Sequence, residues 1–135
     1  MDICRIPQTE LPLLLGAFKP IGNVVVCVDD DEAAHKLADA LEADGFAHAD
    51  IKLYPSAVMA SELGELLPEA SGAAGFGWEI QSMRDYHALA LEGCGWVVVR
   101  AENHAREQKV ATLAQRHGAR LANKYNLLTV EELLD

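Results

Sequence analysis

Asp29, Asp30, Asp31 and Glu32 form one unbroken acidic run. Clustered carboxylates suit hard cations such as Mg²⁺ or Ca²⁺, although this spacing is not that of an EF-hand loop. The run also falls where a helix begins, and the helix dipole alone favours acid there. Gly72, Gly75 and Gly77 have the density of a phosphate loop. Such a loop follows a strand and carries Lys before Ser or Thr, whereas this one follows a helical pattern and reads as a link between two helices. His104 stands after a strand-like run, at a strand end, where an imidazole could act as base or ligand. The stretch from Trp78 to Glu92 is chemically the richest. Glu79 and Tyr86 share a helical face with Ser82 and Met83 between them, Phe76 and Trp78 lie at its mouth, and His87 falls among Ile80 and Met83. Together with Arg100 and His104, the residues Trp78, Tyr86 and His87 would line a small-ligand or enzyme site between a sheet and two helices. The stronger reading packs these aromatic residues over the sheet with their polar tips at its rim, because aromatic residues at helical spacing mostly belong to a core.

The elements that must position these residues are written twice. The stretch from Val24 to Gly45 aligns without a gap on that from Val97 to Gly118. Each copy opens with a β-branched run, "NVVVCV" or "WVVVRA", that predicts a strand. Each then offers a helix N-cap, Asp30 or Asn103, and an amphipathic stretch that ends at Gly45 or Gly118. A second strand follows near Asp50 and near Arg120. The chain therefore reads as βαβ, a helical insert, and βαβ again. The expected fold is a ferredoxin-like α+β sandwich with central strands antiparallel and both repeat helices on one face. The run from Val24 to Val28 is apolar at every position, so the second face also needs a cover. The insert, the N-terminal segment or another subunit would supply it. The alternative is a three-layer α/β fold with a parallel sheet.

One domain spans residues 1–135. It divides into an N-terminal segment (1–22), a first βαβ (23–55), a helical insert (56–95), a second βαβ (96–126) and a short C-terminal helix (127–135). Ser56 would cap the first insert helix, which would stop at Pro68. Thr129 and Glu132 have capping-box spacing, which places the last helix from Val130.

With "VVVCVDDDEAAHKLADALEADGFAHADI", then "SGAAGFG", then "YHALALEGCGWVVVRAENHAREQKVATLAQRHGA", the sequence resembles the bacterial general stress or heat-induced stress domains over about residues 22–120. The resemblance implies a small cytoplasmic domain without an established enzymatic activity. It supplies no catalytic residues.

Composition narrows the function further. The net charge is −10 and the eleven Lys and Arg are scattered, which argues against nucleic acid and anionic membrane as partners. "MDICRIPQTELPLLLGAFKP" lacks a basic start, and Pro12, Gly16 and Pro20 break its apolar run, so it does not read as a signal peptide. Cys4, Cys27 and Cys94 are odd in number and far apart, which points to a reducing cytoplasm. Cys27 reads as a small core hydrophobe. There is no Cys-x-x-Cys, no His-x-x-x-His and no Gly-x-Ser-x-Gly, so no catalytic set, metal or cofactor is assigned. The expected function is a non-catalytic cytoplasmic domain that binds a partner or itself. A homodimer is expected, with the N-terminal segment or the open sheet face at the contact.

Overall fold

The computed structural model describes residues 22–71, 78–126 and 130–134, with the backbone alone for 66–71 and 78–82. The apolar run is strand β1 (Asn23–Val28), the middle strand of five. The chain then passes through α1 (Asp31–Ala43) and one 3-10 turn to β2 (Ile51–Tyr54). Helices α2 (Ser56–Ser71) and α3 (Trp78–Leu91) follow, then β3 (Gly95–Arg100), α4 (His104–Arg116), β4 (Leu121–Tyr125) and β5 (Val130–Glu132).

The sheet order is β2-β3-β1-β4-β5, and every neighbouring pair is antiparallel. The parallel-sheet alternative is thereby overturned, and the reason lies in the connections. β1 and β2 run the same way but do not touch. The gap between them is one strand wide, and β3 fills it in the opposite direction. In the same way β1 fills the gap between β3 and β4.

Both faces of the sheet are covered. Val24, Val26 and Val28 pack with Ala34, Leu37, Ala38 and Leu41 of α1 and with Val110 and Ala114 of α4. Val25 and Cys27 face the other way, onto Met59 and Leu63 of α2 and Met83, Tyr86 and Ala90 of α3. Alternation along the strand therefore feeds two cores, and the insert is the cover that the second face required. Of the three covers weighed for this face, the insert is the one in place. The N-terminal segment 1–21 lies outside the described residues.

Local signals set the helix ends. Asp30 Oδ1 accepts from the Ala33 amide at 2.8 Å, and Asn103 Oδ1 from the Arg106 amide at 2.9 Å. Gly45 and Gly118 take left-handed backbone, with φ of +102° and +71°. This lets the Phe46 amide reach back to the Leu41 carbonyl and the Ala119 amide to that of Ala114. The Arg106 guanidinium sits 4.6 Å from the centre of the Phe46 ring and so ties the start of α4 to the end of α1.

Helix α2 is capped from elsewhere in the chain. Ser56 is its first residue rather than its cap. The Ser56 amide donates to Asp31 Oδ1 at 2.8 Å, and its hydroxyl approaches Oδ2 at 3.4 Å. An acid from α1 thus satisfies an orphan donor of α2. Asp31→Ala should lower stability by about 1 kcal/mol, the usual cost of a lost cap. Amide exchange should quicken at Ser56 while the Ala33 amide, capped by Asp30, stays protected. The helix continues past Pro68, the expected stop, to Ser71, because proline removes a single donor and the loss falls in the last turn.

The C-terminal helix expected from Val130 is a strand instead. Tyr125, Lys124 and Asn123 of β4 pair with Val130, Glu131 and Glu132 of β5, and the Leu133 amide donates to the Ala122 carbonyl at 2.8 Å. The outer edge of β4 offers these residues ready ladder partners, and the pairing prevails over the capping pattern. Thr129 lies outside the described residues.

Candidate functional site

Strand β4 alternates. Ala122 and Lys124 face α1 and α4, whereas Leu121, Asn123 and Tyr125 face α2 and α3. An amide thereby enters the layer beneath α3, where it must find a partner. Asn123 Nδ2 donates to the Tyr86 hydroxyl at 3.1 Å, and that hydroxyl lies 2.7 Å from the Tyr125 hydroxyl. The Tyr86 ring is buried 5.0 Å from the Trp96 ring.

Beside this cluster opens a cleft of about 370 Å³. Asp85 and Tyr86 of α3 form one side and Glu132 of β5 with Leu134 the other. Leu121, Ala122 and Asn123 lie along β4, with Arg120 just ahead of them. Arg120 Nε lies 3.0 Å from Asp29 Oδ1 and its Nη1 lies 3.0 Å from Glu92 Oε1. Hydrogen bonds to these two carboxylates hold the guanidinium even more firmly charged than usual. Its two carboxylate partners lie beyond the cleft lining, which itself carries the carboxylates Asp85 and Glu132. Among the described residues the lining contains no Ser, Cys or His. It offers a phenol, an amide and carboxylates, which recognise a ligand by hydrogen bonds and charge.

Of the residues marked in the sequence, the structure brings Tyr86 to this cleft. His87 is half-buried between the insert helices; its Nε2 lies 3.3 Å from where a Cβ on Gly64 would stand. Arg100 is exposed at the end of β3, 3.4 Å from Glu102. His104, 79 % exposed, begins α4 on the opposite face of the sheet and lies 3.9 Å from Glu107. Neither lines the cleft. The side chains of Trp78, Glu79, Ile80 and Ser82 lie outside the described residues, as do Gly72, Gly75, Phe76 and Gly77. The acidic run is used structurally: Asp29 holds Arg120, Asp30 caps α1 and Asp31 caps α2. Among the described residues no group of three or more His, Cys, Asp or Glu is placed to hold a metal ion.

The sequence reading missed Asn123, Tyr125 and Glu132. Asn123 carried a usable signal, since "LANKY" alternates and sets an amide between Leu121 and Tyr125 on the inward face. Glu132 carried none, because its place depends on the pairing of β5. The chain matches no protein-family model, no curated protein and no solved structure.

Burial raises the Tyr86 phenol above its ordinary value of 10.0, against the opposing hydrogen bonds of Tyr125 and Asn123. The folded state keeps this proton where the unfolded chain loses it. Its contribution to stability is therefore complete below a pH of about 10 and declines as the pH rises further. Tyr86→Phe should cost about 1–2 kcal/mol at neutral pH through the lost hydrogen bonds. Denaturant titrations from neutral to alkaline pH should show a shallower decline in the variant than in the parent.

Proposed function

We propose that this chain is a non-catalytic binding domain that takes a small ligand or peptide end bearing a cationic amine or amide in the cleft between α3 and β4–β5. The observation that carries the reading is the Tyr86–Asn123–Tyr125 cluster beside an open cleft with carboxylates on both sides. Asp85 and Glu132 attract a cation, Asn123 and Tyr86 orient a polar head, and Leu121 and Leu134 take an apolar stem. The net charge of −10 draws cations to this surface at low salt and repels phosphates. The reading treats the sheet as ferredoxin-like, with β5 added at one edge. It takes the cytoplasmic, stress-related setting from the sequence resemblance.

Thermal-shift measurements against amines, amides and basic peptides, with carboxylates and phosphates alongside, test it. A ligand of the folded state raises the melting temperature by mass action. The gain should be confined to the first group and should vanish in an Asp85→Asn/Glu132→Gln variant. Equal gains from phosphates, or none from any amine, would defeat the reading.

A second reading, self-association to a homodimer, draws on β2 and β5 as the two edge strands of an open sheet. With both sheet faces covered, the contact would use an edge or residues 1–21. Light scattering across a concentration series decides it, and a monomer mass that persists would refute the dimer.

A further inference from the structure

Cys27 and Cys94 are both fully buried and both unbonded, and they belong to the same core beneath α3. The β1–β3 register pairs Cys27 with Trp96. Cys94 lies two residues before Trp96, so it is the diagonal neighbour of Cys27 on the same sheet face. The Cys94 sulfur acts on the Cys27 thiol. Cys94 precedes β3 and follows α3, and its amide is held by the Leu89 carbonyl at 3.1 Å.

An ionic strap lies next to this pair in the chain. Asp29 stands two residues after Cys27 and Glu92 two residues before Cys94. The Arg120 guanidinium bridges the two carboxylates at 3.0 Å each and bears electrostatically on both sulfurs. The Arg120 amide also donates to the Cys27 carbonyl at 2.7 Å. Arg120 of the strap lines the cleft, and Leu121, opposite Cys27, lines it too.

We propose that Cys27 and Cys94 are an oxidisable dithiol that closes to a disulfide with hydrogen peroxide, and that Arg120 gates access to it. One thiol sulfur takes a hydroxyl from the peroxide and becomes a sulfenic acid, and one water leaves. The other thiol attacks that sulfur, its proton leaves with the hydroxyl as a second water, and the S–S bond forms. Two sulfurs are oxidised and the peroxide is reduced. Burial, reinforced by the neighbouring sulfur, keeps the Cys27 thiol protonated. The closed bond joins β1 to the α3–β3 joint across a long stretch of chain, so oxidation stiffens the unfolded state and raises stability.

A Cys4→Ser protein, which leaves only this pair, tests the proposal. Folded samples are treated with hydrogen peroxide, quenched, denatured, alkylated and peptide-mapped. The expected product is a Cys27–Cys94 disulfide, with both thiols lost to alkylation together and restored together by dithiothreitol. Its formation should be several-fold faster in an Arg120→Ala variant whose far-ultraviolet circular dichroism matches the parent. Continued alkylation of both cysteines, irreversible oxidation of one alone, or disulfide formation only in denaturant would overturn the proposal. An unchanged rate in Arg120→Ala would overturn the gate.

Discussion

Gly95→Ala should destabilise the fold by roughly 3 kcal/mol or more, at or beyond the upper end of the range for overpacking. A Cβ at this position would stand 2.5 Å from the Asp30 carbonyl oxygen and 2.9 Å from both the Asp30 carbonyl carbon and the Asp31 Cα. These are backbone atoms, and they belong to the junction where Asp30 caps α1 and Asp31 caps α2. Relief of the clash would have to shift β3 from β1 or dislodge both caps. Gly64→Ala is the control. There the close atom is the Nε2 of His87, the end of a side chain that can turn aside, at 3.3 Å. Alanine gains about 1 kcal/mol of helix propensity over glycine. Urea denaturation of the two variants should therefore separate them widely, with Gly64→Ala near the parent.

Lys124→Met should cost about 3–5 kcal/mol, the usual consequence of leaving one partner of a buried ion pair alone. Lys124 Nζ lies 2.8 Å from Glu107 Oε2, and the two side chains are only 7 % and 12 % exposed. The pair joins β4 to α4 in the layer opposite the cleft, so its loss should not act through Tyr86 or Asn123. Removing both charges together, as Glu107→Leu/Lys124→Met, should recover most of the stability, because desolvating two ions offsets much of their attraction. A double-mutant cycle by chemical denaturation measures this. Two single losses that simply add would show that the charges act independently.

Much of the fold was legible because it is written in local signals. The unbroken run from Val24 to Val28 demanded cover on two faces, and α2 with α3 provide the second. Asp30, Asn103, Gly45 and Gly118 mark helix ends through bonds that reach only a few residues. The site was less legible because its parts meet only through strand pairing. Tyr86 was visible as a helical aromatic residue, but its partners Asn123 and Tyr125 are 37 and 39 residues away. Arg120 and Asp29 are 91 apart. The Thr129–Glu132 spacing pointed to a helix because a capping pattern describes how a helix would start. It carries nothing about a waiting sheet edge.

The interleaved order of the strands has a consequence for how the molecule comes apart. Within each βαβ segment the two strands leave a gap that only the other segment can fill. Apart from the short β4–β5 pair, neither half has a hydrogen-bonded sheet of its own, so neither offers a native-like intermediate in which one half stands folded without the other. Contacts between β1 and β3 close a loop of more than half the chain before they contribute anything, which favours slow, all-or-none assembly. Two separately made polypeptides, divided between α2 and α3, would each lack the β1–β3, β1–β4 and β2–β3 pairings and would regain the five-stranded sheet only on mixing.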